Sequence, residues 1–404
     1  MGDAFNGARF DTGGLWVTES VNLPSERNQA LAVAGVVQNA GMRASVMRAA
    51  VTSGFGGPER LEVLDDVAVP EPAAGEVLVE VGACCCNNSD IWLREGSYGR
   101  EDDSQAQAGW LREVEPPRFP LIQGADIVGR IVETGEGVEQ GWLGRRVLVD
   151  TTLHDAASTE PYGIAGIFGS ERDGGFAEYA TAPVTSLGVV EVDDLSDVEV
   201  AALGSASFVT AVRMLKRARL VEGELVLIAG ASGGVGSAAV QLGKLRGAQV
   251  IALSDPGKAN TIRDLGADAV VASRDLDLPN AVRAACAGRN IDVAVDVDGG
   301  PLFSILLTLL RPLGRYVTVG AVGGPVVALD LRTLYLKHLE LLGSTLGTVE
   351  DFHELIALIN QRKIRPLVAQ TFPLEDIHAA QTAFRIKQTA GNIVIRIARE
   401  RRDN

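Results

Sequence analysis

The feature that most constrains this chain is a glycine-rich segment between an apolar run and an amphipathic stretch. Residues 225–229 are continuously apolar, Gly230, Gly233, Gly234 and Gly236 follow, and helical spacing of apolar residues begins there. A tight glycine turn between a buried strand and a helix lets backbone N–H groups approach a pyrophosphate at the helix N-terminus. The segment therefore predicts a dinucleotide-binding loop, and a purely structural glycine turn is the alternative.

A regular alternation of apolar runs and helical spacing surrounds this loop. The apolar runs are 225–229, 250–253, 269–272, 293–297, 316–319 and 339–342, with helical spacing at 234–246, 258–265, 279–287 and 301–310. Continuous apolar strands joined by helices are typical of a parallel sheet that is covered on both faces. We therefore predict a doubly wound dinucleotide-binding domain over residues 210–345.

The segments on either side of this domain follow other patterns. Residues from 47 to about 150 contain short alternating strands and glycine turns, which predict a small β-barrel or sandwich. The tail 346–404 predicts two helices and a last strand starting at Asn392, which we expect to pack back onto that barrel. Residues 1–46, rich in Gly, Asn, Ala and Ser, are interpreted as an appended arm or a poorly ordered leader, with Met47 as an alternative start.

Composition excludes several classes of function. The chain has 404 residues, with 52 acidic against 37 Lys and Arg residues and a net charge of −15, which disfavours nucleic-acid binding. No segment has the roughly 18 consecutive apolar residues of a membrane helix, and no secretory signal is visible. The four cysteines include the consecutive Cys84, Cys85 and Cys86, and no C-x-x-C pair exists. Neither a disulfide framework nor a clustered zinc site is expected, and the cytoplasm is the expected location.

The end of the second strand of the domain bears on the choice between the two nicotinamide cofactors. NAD sites place an Asp or Glu about 20 residues past the glycine loop, on the ribose 2′-hydroxyl. Ser254 lies 18 residues after Gly236, and Lys258 follows. A small hydroxyl and a cation suit a 2′-phosphate, whereas Asp255 would repel it. We therefore favour NADP(H) over NAD(H) and keep NAD(H) as the alternative.

Several ordered motifs then identify a resemblance to a known family. They are Gly124-Ala-Asp126-Ile-Val-Gly129, Gly174-Gly175-Phe-Ala-Glu-Tyr179, the glycine loop, Gly266-Ala-Asp268 and Gly391-Asn-Ile-Val-Ile395. Over about residues 47–398 the chain resembles the medium-chain dehydrogenase/reductase superfamily, in its zinc-free, zeta-crystallin-like quinone oxidoreductase branch. The resemblance implies an α/β protein with a GroES-like β-barrel catalytic domain, residues 47–209 and 346–404, and a Rossmann cofactor domain, residues 210–345.

The same resemblance bears on the zinc question. Zinc-containing alcohol dehydrogenases of this superfamily hold the catalytic metal with a Cys, a His and a second Cys. The matching positions here are Asn87, Ala125 and Ala206, and the four-cysteine structural zinc lobe is absent. We therefore expect no metal at either site.

Without a metal, an alkoxide loses its Lewis-acid support, while hydrogen-bond donors can stabilise a delocalised enolate or hydroquinone anion. Asn87 is the first candidate, either as such a donor or for orienting the cofactor, and a structural turn is the alternative. Tyr98 is a candidate proton donor or an aromatic wall. His154 is a further candidate donor or a surface histidine. The inserts 99–118 and 151–173 are expected to overhang the cleft.

The cofactor contacts implied by the resemblance extend along the domain. They comprise Thr210, Gly230, Ala231, Ser232, Gly233, Gly234, Val235, Gly236, Ser254, Lys258, Gly320, Ala321, Val322, Ser344, Thr345 and Asn392. Asn392 stands where relatives often carry Lys near a cofactor phosphate. The resemblance also implies a homodimer, formed through the last strand of the cofactor domain near 339–344.

Three functions are compatible with these features. The favoured one is an NADPH-dependent reductase of quinones or activated C=C bonds, such as enones and enals. The alternatives are a metal-free alcohol or carbonyl dehydrogenase and a catalytically idle NADPH-binding structural protein. All three bind a small-molecule ligand, and the glycine loop alone does not separate them.

Overall fold

The computed structural model describes residues 45–98, 117–155 and 163–398. The proposed arm 1–46 lies outside this range except for its last two residues, as do most of the insert 99–118 and residues 156–162 of the second insert.

The first part of the chain is built from short antiparallel strands. These are β1 (Val46–Thr52), β2 (Leu61–Ala68), β3 (Glu76–Cys85), β4 (Leu121–Ile122), β5 (Asp126–Thr134), β6 (Arg146–Val149), β7 (Thr152–His154), β8 (Ile164–Ile167), β9 (Tyr179–Pro183) and β10 (Leu187–Val189). Three helices accompany them in the described residues: α1 (Asn88–Glu95), α2 (Asp197–Ala202) and α3 (Ser205–Arg217). Their alternating residues enclose an apolar core that includes Val77, Val79 and Ile127, all fully buried.

The second part is a parallel α/β domain. Its strands are β11 (Leu225–Ala229), β12 (Gln249–Ser254), β13 (Ala269–Ala272), β14 (Ile291–Asp296), β15 (Leu310–Thr318) and β16 (Glu340–Gly343). Its helices are α4 (Gly234–Leu245), α5 (Ala259–Asp264), α6 (Leu278–Ala285), α7 (Leu302–Leu309) and α8 (Leu331–Leu336). The sheet order β13-β12-β11-β14-β15-β16, with every pairing parallel, is that of the doubly wound fold. The predicted fold class is confirmed, and a crevice is expected where the order reverses, between β11 and β14.

The tail returns to the first part of the chain. It forms α9 (Val349–Asn360), β17 (Val368–Pro373), α10 (Ile377–Ile386) and β18 (Asn392–Arg396). Strand β18 pairs antiparallel with β3, with Val394 opposite Cys85, and it extends the sheet β10-β6-β5-β3-β18-β17. Strand β18 therefore lies directly beside the residues that lead into α1.

Helices α2 and α3 pack between the two parts. Within the described residues, Asp197–Arg217 is the one stretch long and apolar enough to span a membrane, and 78% of its most apolar window is buried inside the protein. Phe208, Val209 and Val212 of α3 belong to the core that also contains residues of β11 and α4. The apolar character of this stretch is thus used for internal packing.

Candidate functional site: a cofactor crevice and an adjoining pocket

The glycine loop lies at the carboxyl edge of the parallel sheet, between β11 and α4. Gly230 has φ +67°, and a Cβ on Gly236 would lie 2.1 Å from the Gly230 carbonyl oxygen, so the fold itself requires these two glycines. Gly233 is exposed, and a Cβ there would meet nothing closer than 3.7 Å. The loop therefore leaves an open surface at the N-terminus of α4, and that surface suits a pyrophosphate.

The end of β12 supplies the next group of predicted cofactor residues. Ser254 is 3% exposed, and its hydroxyl has no hydrogen-bond partner among the described residues. The Asp255 carboxylate accepts the N–H of Gly257 at 2.8 Å, so its charge is partly engaged in its own turn. Lys258 donates from Nζ to the Lys387 carbonyl at 2.6 Å. An unpartnered hydroxyl at the end of β12, followed closely in the chain by Lys258, suits the hydroxyl or phosphate of an adenosine ribose.

Lys387, just after α10, is a residue that the sequence reading missed. Burial lowers the pKa of Lys387, with the nearby Lys258 contributing, while the Asp298 carboxylate acts in the opposite direction. The same segment is joined to the glycine loop, because Gly391 N–H donates to the Ser232 carbonyl at 2.9 Å. Lys258 therefore meets the segment of Lys387, and no local sequence signal relates positions 258 and 387.

Asn392 is placed differently from its predicted role near a cofactor phosphate. It is 4% exposed, and its Nδ2 donates to the Ala202 carbonyl at 2.7 Å. A Cβ on Gly234 would lie 2.4 Å from Asn392 Oδ1. The side chain thus supports the glycine loop from beneath and connects it to α2. The reason is tertiary: β18 brings Asn392 against α2, where a buried amide needs a protein partner.

The residues predicted beside the nicotinamide follow the next strands of the sheet. Gly320 comes after β15, where a Cβ would lie 2.3 Å from the Val297 carbonyl oxygen. Ser344 comes after β16, and its N–H donates to the Thr318 carbonyl at 2.9 Å. The Ser344 hydroxyl is buried and has no hydrogen-bond partner among the described residues. Thr210, 4% exposed, lies on α3. Ala321 and Val322 follow Gly320, and Thr345 follows Ser344, so the loops at these strand ends share the carboxyl edge with the glycine loop.

Asn87 begins α1, and its amide is already engaged inside the protein. Its Nδ2 donates to Asp126 Oδ2 at 2.9 Å and to the Cys85 carbonyl at 3.3 Å. Asp126 also accepts, on Oδ1, the N–H of Ala206 at 2.8 Å. Both amide hydrogens are therefore used, and Asn87 could serve an oxyanion as donor only after one of these bonds broke. Its two expected roles, as a donor to an oxyanion or in orienting the cofactor, stay predictions.

Buried carboxylates surround this position. Burial raises the pKa of Asp90 from 3.8 to about 7, and hydrogen bonds from the backbone of Asn87 and Gly124 partly oppose the shift. Burial also raises the pKa of Asp126 from 3.8 to about 6, with the nearby Asp150 contributing in the same direction. Asp150 is held by the Ser205 hydroxyl at 2.7 Å and by His154 Nε2 at 3.1 Å. His154 is thus a half-buried partner of Asp150.

A narrow pocket lies beside α1, with almost no free volume for a water molecule. Its walls include Ser89, Asp90 and Leu93 of α1, Tyr98, and Ile167, Phe168 and Ser170 from the second insert. Burial, and secondarily the Asp90 charge, raises the pKa of Tyr98, so its hydroxyl keeps its proton and can donate a hydrogen bond. Ser89 and Ser170 were missed by the sequence reading, although Ser89 lies within the segment of Asn87 and Asp90 that had been singled out.

Potential metal ligands are sparse around these residues. In the ranges that the structure describes, no group of three or more His, Cys, Asp or Glu side chains is arranged to hold a metal ion. The thiols of Cys84, Cys85 and Cys86 are buried and free, and burial raises their pKa values well above the usual range.

Comparisons with known proteins agree with this architecture. Residues 73–194 match the family described as "Alcohol dehydrogenase GroES-like domain", and residues 234–361 match the one described as "Zinc-binding dehydrogenase". The chain is 32% identical over 359 residues to acryloyl-coenzyme A reductase of Metallosphaera sedula, with 86% of this chain and 99% of that protein covered. It is 29% identical over 357 residues to quinone oxidoreductase of Rattus norvegicus, with 86% and 96% covered.

A solved structure extends the similarity. A candidate alcohol dehydrogenase of Sinorhizobium meliloti superposes with a TM-score of 0.83 at 49% identity, covering 88% of this chain and 98% of that one. The two domain matches, the nearly full-length relatives and the sheet order all agree. The chain belongs to the medium-chain dehydrogenase/reductase superfamily, in its quinone oxidoreductase-like branch.

Proposed function

We propose that this protein transfers hydride from NADPH to a quinone or an activated C=C bond without a metal. The observation that carries the proposal is which side chains stand at the three positions where zinc-containing relatives bind their metal. Ala125 and Ala206 have no ligating atom, and the Asn87 amide nitrogen donates to Asp126. These side chains do not fit a catalytic zinc ion, so the chemistry is assigned to hydrogen-bonding groups.

The cofactor pocket supports a pyridine nucleotide with a 2′-phosphate. The glycine loop would hold the pyrophosphate, and the unpartnered hydroxyls of Ser254 and Ser344 lie at two ends of the same edge. Lys258 and Lys387 would pair with the 2′-phosphate. A charge-assisted hydrogen bond contributes roughly 1.5–3 kcal/mol, which corresponds to a preference of about tenfold or more for NADPH.

The pocket supplies groups that could stabilise the negative charge formed by hydride transfer. Bound NADPH would provide the hydride, and the negative charge would then develop on an oxygen of the acceptor. Tyr98 and Ser89 line the pocket, and their hydroxyls are the proposed donors to that oxygen. Asn87, with its nitrogen turned inward, is left with its amide oxygen, which suits the carboxamide NH₂ of a nicotinamide. We therefore assign Asn87 to cofactor orientation.

The named activities of two relatives also support reduction of a quinone or an activated C=C bond. An acryloyl-coenzyme A reductase and a quinone oxidoreductase are both similar to this chain over most of its length. The candidate alcohol dehydrogenase, at 49% identity, favours the second function, alcohol or carbonyl oxidoreduction. The two functions need different groups to stabilise the negative charge on oxygen, because a localised alkoxide depends more on a Lewis acid than a delocalised anion does.

One experiment separates these functions. NADPH oxidation is measured with a panel of quinones, enones and enals, and NADP⁺ reduction with simple secondary alcohols, each with and without EDTA. We expect turnover with the first panel, no effect of EDTA and far less than one zinc per chain by elemental analysis. Fast alcohol oxidation that EDTA abolishes, with near one zinc per chain, would overturn the proposal. NADPH binding without any turnover would identify the catalytically idle alternative.

The proposal includes a homodimer formed through the cofactor domain. Strand β16 is the last strand of the six-stranded sheet, and Leu341 on it is 36% exposed. Tyr335 and Leu336 of the preceding α8 are 59% and 68% exposed. An edge strand next to exposed apolar side chains is a surface that a second copy could cover.

A further inference from the structure

A single buried carboxylate, Asp126, joins three segments from distant parts of the chain. Its Oδ2 accepts Asn87 Nδ2 at 2.9 Å, and its Oδ1 accepts the Ala206 N–H at 2.8 Å and the Thr151 hydroxyl at 3.1 Å. The side chain is fully buried. The start of α1, the start of α3 and the turn after β6 therefore share one anchor.

The anchor is held firmly in place. Burying a carboxylate is costly unless donors replace the water that it loses, and here three donors do so. The N-terminus of the 13-residue helix α3 adds a favourable electrostatic interaction, since helix N-termini carry partial positive charge. Gly204 closes the remaining side, because a Cβ there would lie 2.4 Å from Asp126 Cγ. The carboxylate has little room to rotate away from its partners.

The joined segments carry the two halves of the proposed site. Helix α1 contributes Ser89 and Leu93 to the pocket. Helix α3 carries Thr210 and contacts the glycine loop, where a Cβ on Gly234 would lie 2.4 Å from Ser207 Oγ. The relative position of α1 and α3 thus affects the distance between the cofactor crevice and the pocket. Asp126 bonds to the starts of both helices, at two of the three positions that hold zinc in metal-containing relatives.

We propose that Asp126 is a positioning residue that replaces the bridging role of a metal: by fixing the Asn87 amide and the start of α3, it sets the nicotinamide against the substrate pocket. The inference rests on the proposed function, since it assumes that hydride crosses between these two places. It assigns Asp126 no contact with substrate or cofactor. Its effect on turnover should therefore pass through Asn87 and the start of α3, and a variant that keeps the bond to Ala206 isolates the route through Asn87.

The principal variant is Asp126→Asn, which preserves size and an acceptor for Ala206 and Thr151. Its new NH₂ group would face Asn87 Nδ2, donor against donor. Rotating the Asn87 amide would relieve this contact but bring its oxygen towards the Cys85 carbonyl, now 3.3 Å from Nδ2. Because misplacement by about 1 Å can slow a reaction about 10²-fold, we expect single-turnover hydride transfer to fall by about 10- to 100-fold. NADPH affinity should stay within a few-fold.

A double-variant cycle tests the route of the effect. If Asp126 acts through Asn87, Asp126→Asn should slow hydride transfer in the native background but have little further effect in Asn87→Ala. Fully additive losses would overturn the proposal. If Asp126→Asn fails to fold, Thr151→Val removes one bond to the same carboxylate and should give a smaller loss in the same direction. An unchanged rate in that variant would overturn the proposal as well.

A signal from the bound cofactor, measured without any substrate, tests the role of Asp126 independently of which reaction the protein catalyses. The fluorescence enhancement of bound NADPH reports the surroundings of the nicotinamide, and we expect it to change in Asp126→Asn. Asp351→Asn is the matched control, because Asp351 is also buried, at 1% exposure, but pairs with Lys216 near the opposite end of α3 from Ala206. It should keep the native rate and fluorescence even where its melting temperature falls. Native rate and native fluorescence in Asp126→Asn would overturn the inference, whereas a wild type that reduces no acceptor would overturn only the proposed function.

Discussion

At the scale of single residues, the carboxyl edge of the parallel sheet contains buried polar groups that have no hydrogen-bond partner in the described part of the chain. The hydroxyls of Ser254 and Ser344 are buried without a partner among the described residues. An unpaired buried polar group costs about 1–3 kcal/mol, so a ligand that bonds to both would gain accordingly. Asn392, which the sequence also suggested for the cofactor, is by contrast satisfied by Ala202. The unpaired hydroxyls are therefore the better indicators of cofactor contacts.

Replacing Lys258 should separate the two cofactors. Lys258→Ala removes the ammonium group that follows β12 and should weaken NADPH binding by about tenfold or more while leaving NADH within about twofold, since only NADPH carries the 2′-phosphate. Fluorescence titration measures both affinities. Lys244→Ala is the control, because Lys244 pairs with Asp268 near the opposite end of α4. Equal weakening of NADH and NADPH binding would contradict the assignment.

Removing the Tyr98 hydroxyl should affect turnover more than binding. Tyr98→Phe keeps the aromatic wall but deletes the hydroxyl of a residue that lines the pocket, and losing an oxyanion donor costs about 10²–10³ in kcat. NADPH affinity should remain within a few-fold. Steady-state kinetics with the best quinone or enone tests this. A variant with native kcat would show that Tyr98 serves only as a wall.

Asp90 should make stability depend on pH in a defined direction. Its pKa is raised from 3.8 to about 7, so between these values the folded chain holds a proton that the unfolded chain has lost. The contribution of this group to stability therefore decreases as pH rises towards 7. Asp90→Asn cannot ionise but keeps an acceptor for the Asn87 N–H.

Melting temperatures from pH 5 to pH 8 test this expectation. Relative to the wild type, Asp90→Asn should gain stability as pH rises, with the melting temperature increasing by about 1 °C for each kcal/mol. The exposed Asp65→Asn is the control and should change little. If the melting temperatures of the wild type and Asp90→Asn changed in parallel with pH, the ionisation of Asp90 would not affect stability as expected.

At the scale of elements, the described strands of the parallel sheet follow the predicted apolar runs closely, except for β15. This strand begins at Leu310, well before the predicted start at Tyr316, because Leu310 pairs with Ile291 of β14 ahead of an irregularity in the register. Strand β16, at the edge, is the least buried of the six, and this exposure is the basis of the dimer proposal.

Disrupting this edge should produce monomers. Leu341→Lys places a charge on β16 that a second copy would have to bury without a partner. Light scattering coupled to gel filtration should show a dimeric wild type and a monomeric variant with unchanged NADPH affinity. Val221→Lys, at another exposed apolar position, should remain dimeric. A monomeric wild type, or a dimeric Leu341→Lys variant, would exclude this interface.

At the scale of the whole molecule, the N-terminal residues should be dispensable. The first described contacts are made by Ser45, whose carbonyl accepts Val69 N–H at 3.1 Å, and by Val46, which pairs with Ala68. A chain starting at Ala44 should keep its melting temperature within a few degrees and its NADPH affinity within a few-fold. A chain starting at Thr52, which lacks β1, should aggregate. Loss of cofactor binding in the longer chain would show that the removed residues are structural.

The sequence by itself determined the elements, the class of fold and the glycine loop. Strand and helix periodicities are local, so apolar spacing around residues 225–246 is enough to predict β11, the loop and α4. The requirement for glycine at 230 and 236 is also local, since both serve one turn. For the same reason the six parallel strands could be predicted in chain order.

The tertiary structure alone decided what the polar side chains of the site do. Lys258 meets Lys387 across 129 residues of chain, and Asn87 meets Asp126 across 39. A hydrogen bond depends on separations of a few tenths of an ångström and on which donors are already used, and neither is encoded in spacing along the sequence. For this reason the sequence could propose Asn87 for the site, and could include Asp126 in a family motif, but it could not show that Asp126 holds the Asn87 amide.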